Sequence, residues 1–169
     1  MPDFKRFQQK TPAPSRHSIE QTCAAVNKNL EEMRKITNHL SGFNWHISGT
    51  DKHRLLYMGS NLYDFYLLTE DSLLRIARTT DKWIPASLDW RVRLVKLMQS
   101  PLPGKRPPVL SSNTASMLAD YRLLFLNFHH QCSNFSPARI EKLTNNLEGL
   151  YNQLKKELTA YTGLLLGHE

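Results

Sequence analysis

Ile140, Leu143, Leu147, Leu150, Leu154, Leu158, Tyr161 and Leu164 follow one another at spacings of three or four, with charged residues between them. That period suits one face of an α-helix and no β-strand. Ile19, Cys23, Val26, Leu30, Met33, Ile36 and Leu40 repeat it near the other end of the chain. Strand signals are negligible throughout. Several apolar helical stripes in one chain must be buried against each other. The predicted fold class is therefore all-α, an up-and-down helical bundle of about four long helices plus one short helix.

Local signals punctuate the helices. Ser18 with Gln21 has the form of a capping box ahead of the first helix, and Gly42 follows its last apolar residue. A second helix is predicted from near Asp51 to about Thr80. Leu55, Leu62, Phe65, Tyr66, Leu73 and their neighbours leave its middle apolar on more than one side, which makes it a central element. Ser87 or Asp89 caps a short third helix to about Met98. SPLPGKRPPVL then breaks regular structure, because each proline lacks an amide donor and restricts the residue before it. A fourth helix follows from Ser112 to about Cys132, and a fifth opens with Ser136 as cap and Pro137 in the first turn. The second and fourth are expected innermost.

A chain of 169 residues with 40% hydrophobic content can bury one core without disulfides or structural metal. Residues 1–17 read as a flexible basic tail carrying Pro2, Pro12 and Pro14, and 18–169 as a single bundle domain. No apolar stretch is long enough to span a bilayer, so no membrane partner is expected. The opening residues lack the apolar core of a secretion signal. Cys23 and Cys132 then read as reduced thiols in a cytoplasmic protein.

The formal charge is +7. Part of the excess is local: Lys82, Arg91, Arg93, Lys96, Lys105 and Arg106 face only Asp89 in the same segment. Such a segment attracts an RNA backbone or an acidic protein, and equally suits a solvated basic face. Lys82, Arg91, Arg93, Lys105 and Arg106 are the candidate substrate-binding residues.

The segment RLLFLNFHHQC, Arg122 to Cys132, carries the candidate chemistry. Met117, Tyr121, Leu124, Phe125, Phe128 and Cys132 share one helical face and predict the core side. Leu123, Leu126 and His130 point roughly the other way, so a second apolar surface must be covered, and a homodimer across this helix does so. Arg122 and His129 differ by only about 20° in direction and lie roughly 10 Å apart along the axis. An arginine and a histidine leaning together could hold one phosphate. RNA supplies its own nucleophile in the 2′-hydroxyl, so such a site need only move protons and stabilise charge on the phosphorane. Histidine does the first and arginine the second. The competing reading is that Arg122, His129 and His130 are ordinary hydrogen-bonded helix residues.

A metal site from His129, His130 and Cys132 is disfavoured, because adjacent helix residues diverge by about 100°. No phosphate-cradling glycine loop, paired-cysteine motif or cofactor motif appears, and no metal or cofactor is expected. Asp64, Glu70 and Asp71 on the second helix either line its wet edge or need a partner such as Arg122 or a histidine of the fourth helix.

"NLYDFYLLTEDSLLRIA", "DWRVRLVKLMQSPLPGKRPPVL", "ADYRLLFLNFHH" and "FSPARIEKLTNNLEGLYNQLKKELTAYTGLL" resemble, in order and spacing, the HepT-like ribonuclease toxins of the HEPN superfamily. The likeness runs from about Leu62 to Leu166. It implies a dimeric helical bundle and a metal-independent endoribonuclease opposed by a nucleotidyltransferase antitoxin. The family's centre is an arginine, a short spacer, a histidine and often a tyrosine just beyond it that the antitoxin can modify. Aligned without a gap, Phe125 stands at the arginine, His130 at the histidine and Cys132 at the tyrosine. A shifted register brings in His129, and Arg122 with His129 fits the spacing. Glu70 falls where the family tends to keep an acid.

Two functions follow as expectations. In the first, a toxin-family ribonuclease uses His129 or His130 for proton transfer, Arg122 for the phosphate and Glu70 to orient one of them. In the second, the nuclease centre has decayed and the chain is a HEPN-fold binding protein acting through RNA or partner-protein contacts.

Overall fold

The computed structural model describes residues 13–42, 52–83, 86–130 and 136–167, with side chains in the third stretch described as far as 124. The tail to residue 12, Cys132 and the side chains of His129 and His130 lie outside the described residues.

Among the described residues five α-helices form where the apolar period placed them: α1 Arg16–Ser41, α2 Lys52–Ile76, α3 Trp90–Gln99, α4 Ser112–His130 and α5 Pro137–Gly167. Among the described residues there is no strand, only an isolated bridge between Leu102 and Arg106. The cap of α1 is Ser15, whose hydroxyl accepts from the Ser18 amide at 3.3 Å. This corrects the expected Ser18 cap, since Ser18 already lies in the first turn. The Ser136 carbonyl accepts from the Arg139 and Ile140 amides and opens α5, as its Ser-Pro start predicts.

Contact pairs fix the directions of the helices. Thr22 meets Thr79 at 2.7 Å and His39 meets the Tyr57 hydroxyl at 2.8 Å, so α1 and α2 are antiparallel. Thr114 donates to Glu157 at 2.8 Å and Tyr121 to the Leu143 carbonyl at 2.6 Å, so α4 and α5 are antiparallel too. Cys23 lies beside the Thr162 carbonyl, while Glu31 and Arg34 act on Tyr151, which sets α5 against α1. The result is an up-and-down bundle in which α2 touches all four other helices.

The reason is α2's apolar girth. Met58, Leu62, Phe65, Leu73 and Ile76 are fully buried. The buried Asn29 between α1 and α2 is matched: its amide donates to Asp71 at 2.9 Å and to the Ser72 hydroxyl at 3.0 Å. Helix α4 is less enclosed than expected. It packs on α2, α3 and α5, burying Leu118, Tyr121 and Leu124, but Leu123 remains 41% exposed.

The proline segment is ordered by one arginine. Helix α2 loosens into a π-turn, Ala77–Asp81, and stops at Lys82, whose φ of 54° no longer fits a right-handed helix. Arg106 reaches back to this turn, donating from Nε and Nη2 to the two carboxylate oxygens of Asp81 at 2.8 and 2.7 Å. Its other donors meet the carbonyls of Leu97, Ser100 and Pro107. Gly104, at φ 72°, allows the tight Leu102–Arg106 turn that aims this side chain inward. One planar guanidinium thus joins the end of α2, the end of α3 and the loop entering α4.

Candidate functional site

Tyr66 and Glu70 stand one turn apart on α2 and so share a side of it. That side faces α3 and α4. Arg91, in the first turn of α3, brings its Nε to 2.7 Å from Glu70 Oε2, with the side chains 27% and 10% exposed. Its guanidinium also lies 4.4 Å from the centroid of the Trp90 ring. Burial pushes the Glu70 carboxyl above the ordinary glutamate range, while the Arg91 charge and hydrogen bonds from Arg91 and Tyr66 pull the other way. Burial also drives the Tyr66 phenol far above its usual value. The Glu70 charge adds to this, and Arg91 and Arg122 oppose it. At neutral pH Tyr66 is therefore an uncharged donor to Glu70, held within electrostatic reach of two arginines.

In front of this group a groove of about 270 Å³ runs between α3 and α4. Helix α3 supplies Val92, Val95, Lys96 and Gln99, a stripe at helical spacing. Helix α4 supplies small residues at the same spacing, Ser112, Ala115, Ser116 and Ala119, and ends the stripe with Arg122. No carboxylate lines the groove. Several other cations of the bundle are neutralised by acids, among them Arg34 by Glu31, Arg75 by Asp71, Arg93 by Asp89 and Lys142 by Asp120. Among the described residues no carboxylate pairs with Lys96 or Arg122.

The expected site residues are thus divided. Arg122 lines the groove, half-buried, and Glu70 lies behind it. Glu70 is paired with Arg91, where Arg122 or a histidine was the expected partner, because the first turn of α3 carries the Arg91 guanidinium to 2.7 Å from it. Asp64 is exposed, and Asp71 serves Asn29 and Arg75. The backbone of α4 is helical to His130, so the register relating Arg122 to His129 holds.

The basic segment does not form one face. Lys82 and Lys105 are exposed, and Arg93 pairs with Asp89 at 2.9 Å. Arg91 is turned toward Glu70. Arg106 is 2% exposed with its donors engaged, and this overturns its expected place on an RNA-facing surface. Charge counting could not anticipate that, since it takes no account of Asp81 far along the chain. Sequence reasoning missed Tyr66 as a site residue, and it counted Lys96 in the basic segment without taking it as a candidate binding residue. The four-residue spacing of Tyr66 and Glu70 and the Lys96 stripe were the available signals.

Among the described residues no group of three His, Cys, Asp or Glu side chains could hold a metal ion, and no helix is long and apolar enough to cross a membrane. A family model described as HepT-like protein matches residues 57–165, which include Tyr66, Glu70, Arg91, Lys96 and Arg122 and exclude α1. No curated protein and no solved structure matches the chain. Because the family match runs from the second turn of α2 almost to the end of α5, well over half of the chain, this protein belongs to the HepT-like family of the HEPN superfamily.

Proposed function

We propose that the protein is the toxin of a toxin–antitoxin pair and cleaves RNA without a metal ion, as a homodimer restrained by a nucleotidyltransferase antitoxin. One observation carries this reading: Arg122, with no described carboxylate to neutralise it, opens onto a groove on the same helix that carries His129 and His130. In the reaction the RNA 2′-hydroxyl attacks the adjacent phosphorus and the bond to the 5′-oxygen breaks, leaving a cyclic phosphate. An imidazole of His129 or His130 takes the 2′ proton, and an imidazolium returns a proton to the leaving oxygen. Arg122 stabilises the charge that builds on the phosphorane oxygens. Glu70 acts at one remove, through Tyr66 and Arg91, by keeping the wall behind Arg122 in place.

The test is cleavage of tRNA and mRNA by the purified protein in chelator, beside His129→Ala, His130→Ala and Arg122→Ala. Loss of the acting histidine should slow cleavage by about 10²–10⁴-fold. Growth arrest on expression, relieved by a co-expressed antitoxin, tests the toxin role. A second reading has its own support: the engagement of Glu70 by Arg91 suits a HEPN-fold binding protein whose nuclease centre has decayed. Absence of cleavage by the wild-type protein would establish that reading in place of the first.

A further inference from the structure

We infer that the groove between α3 and α4 is a binding track for the RNA strand beside the cleaved bond, with Lys96, which the sequence placed only in a general basic segment, as its phosphate contact. This inference rests on the RNA-cleaving reading above and extends it to a neighbouring nucleotide. The groove has two cations, Lys96 on α3 and Arg122 on α4, and no lining carboxylate. An anion is the complementary occupant. From Ser112 to Arg122 the α4 wall is about 15 Å long, more than an isolated phosphate would fill and suited to a short run of backbone.

The remaining walls fit a nucleotide. Val92 and Val95 are half-buried and present apolar surface to a ribose or base edge, while Ser112, Ser116 and Gln99 offer hydrogen-bonding groups. The 270 Å³ volume is close to the ~300 Å³ lower limit of small-ligand clefts, a size for one nucleotide unit. Small residues on α4 keep the groove open. Ala119 lines it and is exposed, so a larger side chain there would occupy the track.

An oligoribonucleotide methylated at every 2′-oxygen cannot be cleaved, and its binding to the full-length protein can be followed by fluorescence anisotropy over a range of salt concentrations. Lys96→Ala should weaken binding about tenfold and reduce the slope of log K against log salt by about 0.7, the value for one lost contact to a single strand. Ala119→Leu should weaken binding about as much with no change of slope, and circular dichroism checks that it remains folded. Lys155→Ala, on the outer surface of α5, serves as the control and should bind like wild type. The inference is overturned if the oligonucleotide does not bind, or if either Lys96→Ala or Ala119→Leu binds as tightly as wild type. A protein that binds through the groove but does not cleave would defeat the ribonuclease reading alone. One that cleaves with unchanged KM in both groove variants would defeat the track alone.

Discussion

Glu70 is the buried acid of α2, and its position has a consequence for pH. Burial raises its carboxyl pKa even with Arg91 and Tyr66 at hand, so the folded chain holds this proton more firmly than the unfolded chain does. Its contribution to stability is complete at pH values below the ordinary glutamate range and declines as pH rises through the raised value. Glu70→Gln cannot titrate. Urea unfolding followed from acid to neutral pH should show a flatter decline across that window for the variant than for wild type. Coincident pH profiles would contradict the assignment. Legibility in the sequence also differed residue by residue. Arg122 could be picked out as a polar interruption in an apolar helix, whereas Arg106 looked like one more surface cation.

Elements were legible because their causes are local. The three-and-four spacing, the Ser-Pro opening of α5 and the prolines after α3 each act within a turn or two of chain, and the helices appear where those signals place them. Junctions between elements depend on partners distant in sequence. The π-turn after α2 and the loop into α4 are joined by the Asp81–Arg106 pair, whose side chains are 4% and 2% exposed. Removing one member of such a pair leaves a buried charge without compensation. Arg106→Ala should therefore cost about 3–5 kcal/mol of folding stability, measured by chemical denaturation. A loss within the range of exposed ion pairs, under ~1 kcal/mol, would show that the clamp contributes little.

At the scale of the whole molecule, the outward side of α4 leaves apolar surface uncovered by this chain's described residues. Leu123 is 41% exposed on a helix whose opposite side buries Leu118, Tyr121 and Leu124. A homodimer closed over α4 would cover it. In the proposed dimer, Leu123→Lys should shift the equilibrium toward monomer in analytical ultracentrifugation, because a charge in a buried interface loses hydration without gaining a partner. An unchanged sedimentation coefficient would exclude that face from the interface. If the dimer also builds the catalytic groove, the same variant should cleave RNA more slowly in proportion to the dimer lost.

The sequence by itself determined the all-helical class, the order and approximate limits of the helices, the central place of α2 and the likeness to HepT-like proteins. Each of these follows from periodicity or from short motifs, and such signals need no knowledge of distant neighbours. Only the tertiary structure decided which charges are available for binding. It turned Arg106 inward onto Asp81, paired Glu70 with Arg91 and left Lys96 and Arg122 along one groove. The physical reason is that a charge's role depends on what lies within a few ångströms of it, and in this bundle those neighbours come from other helices.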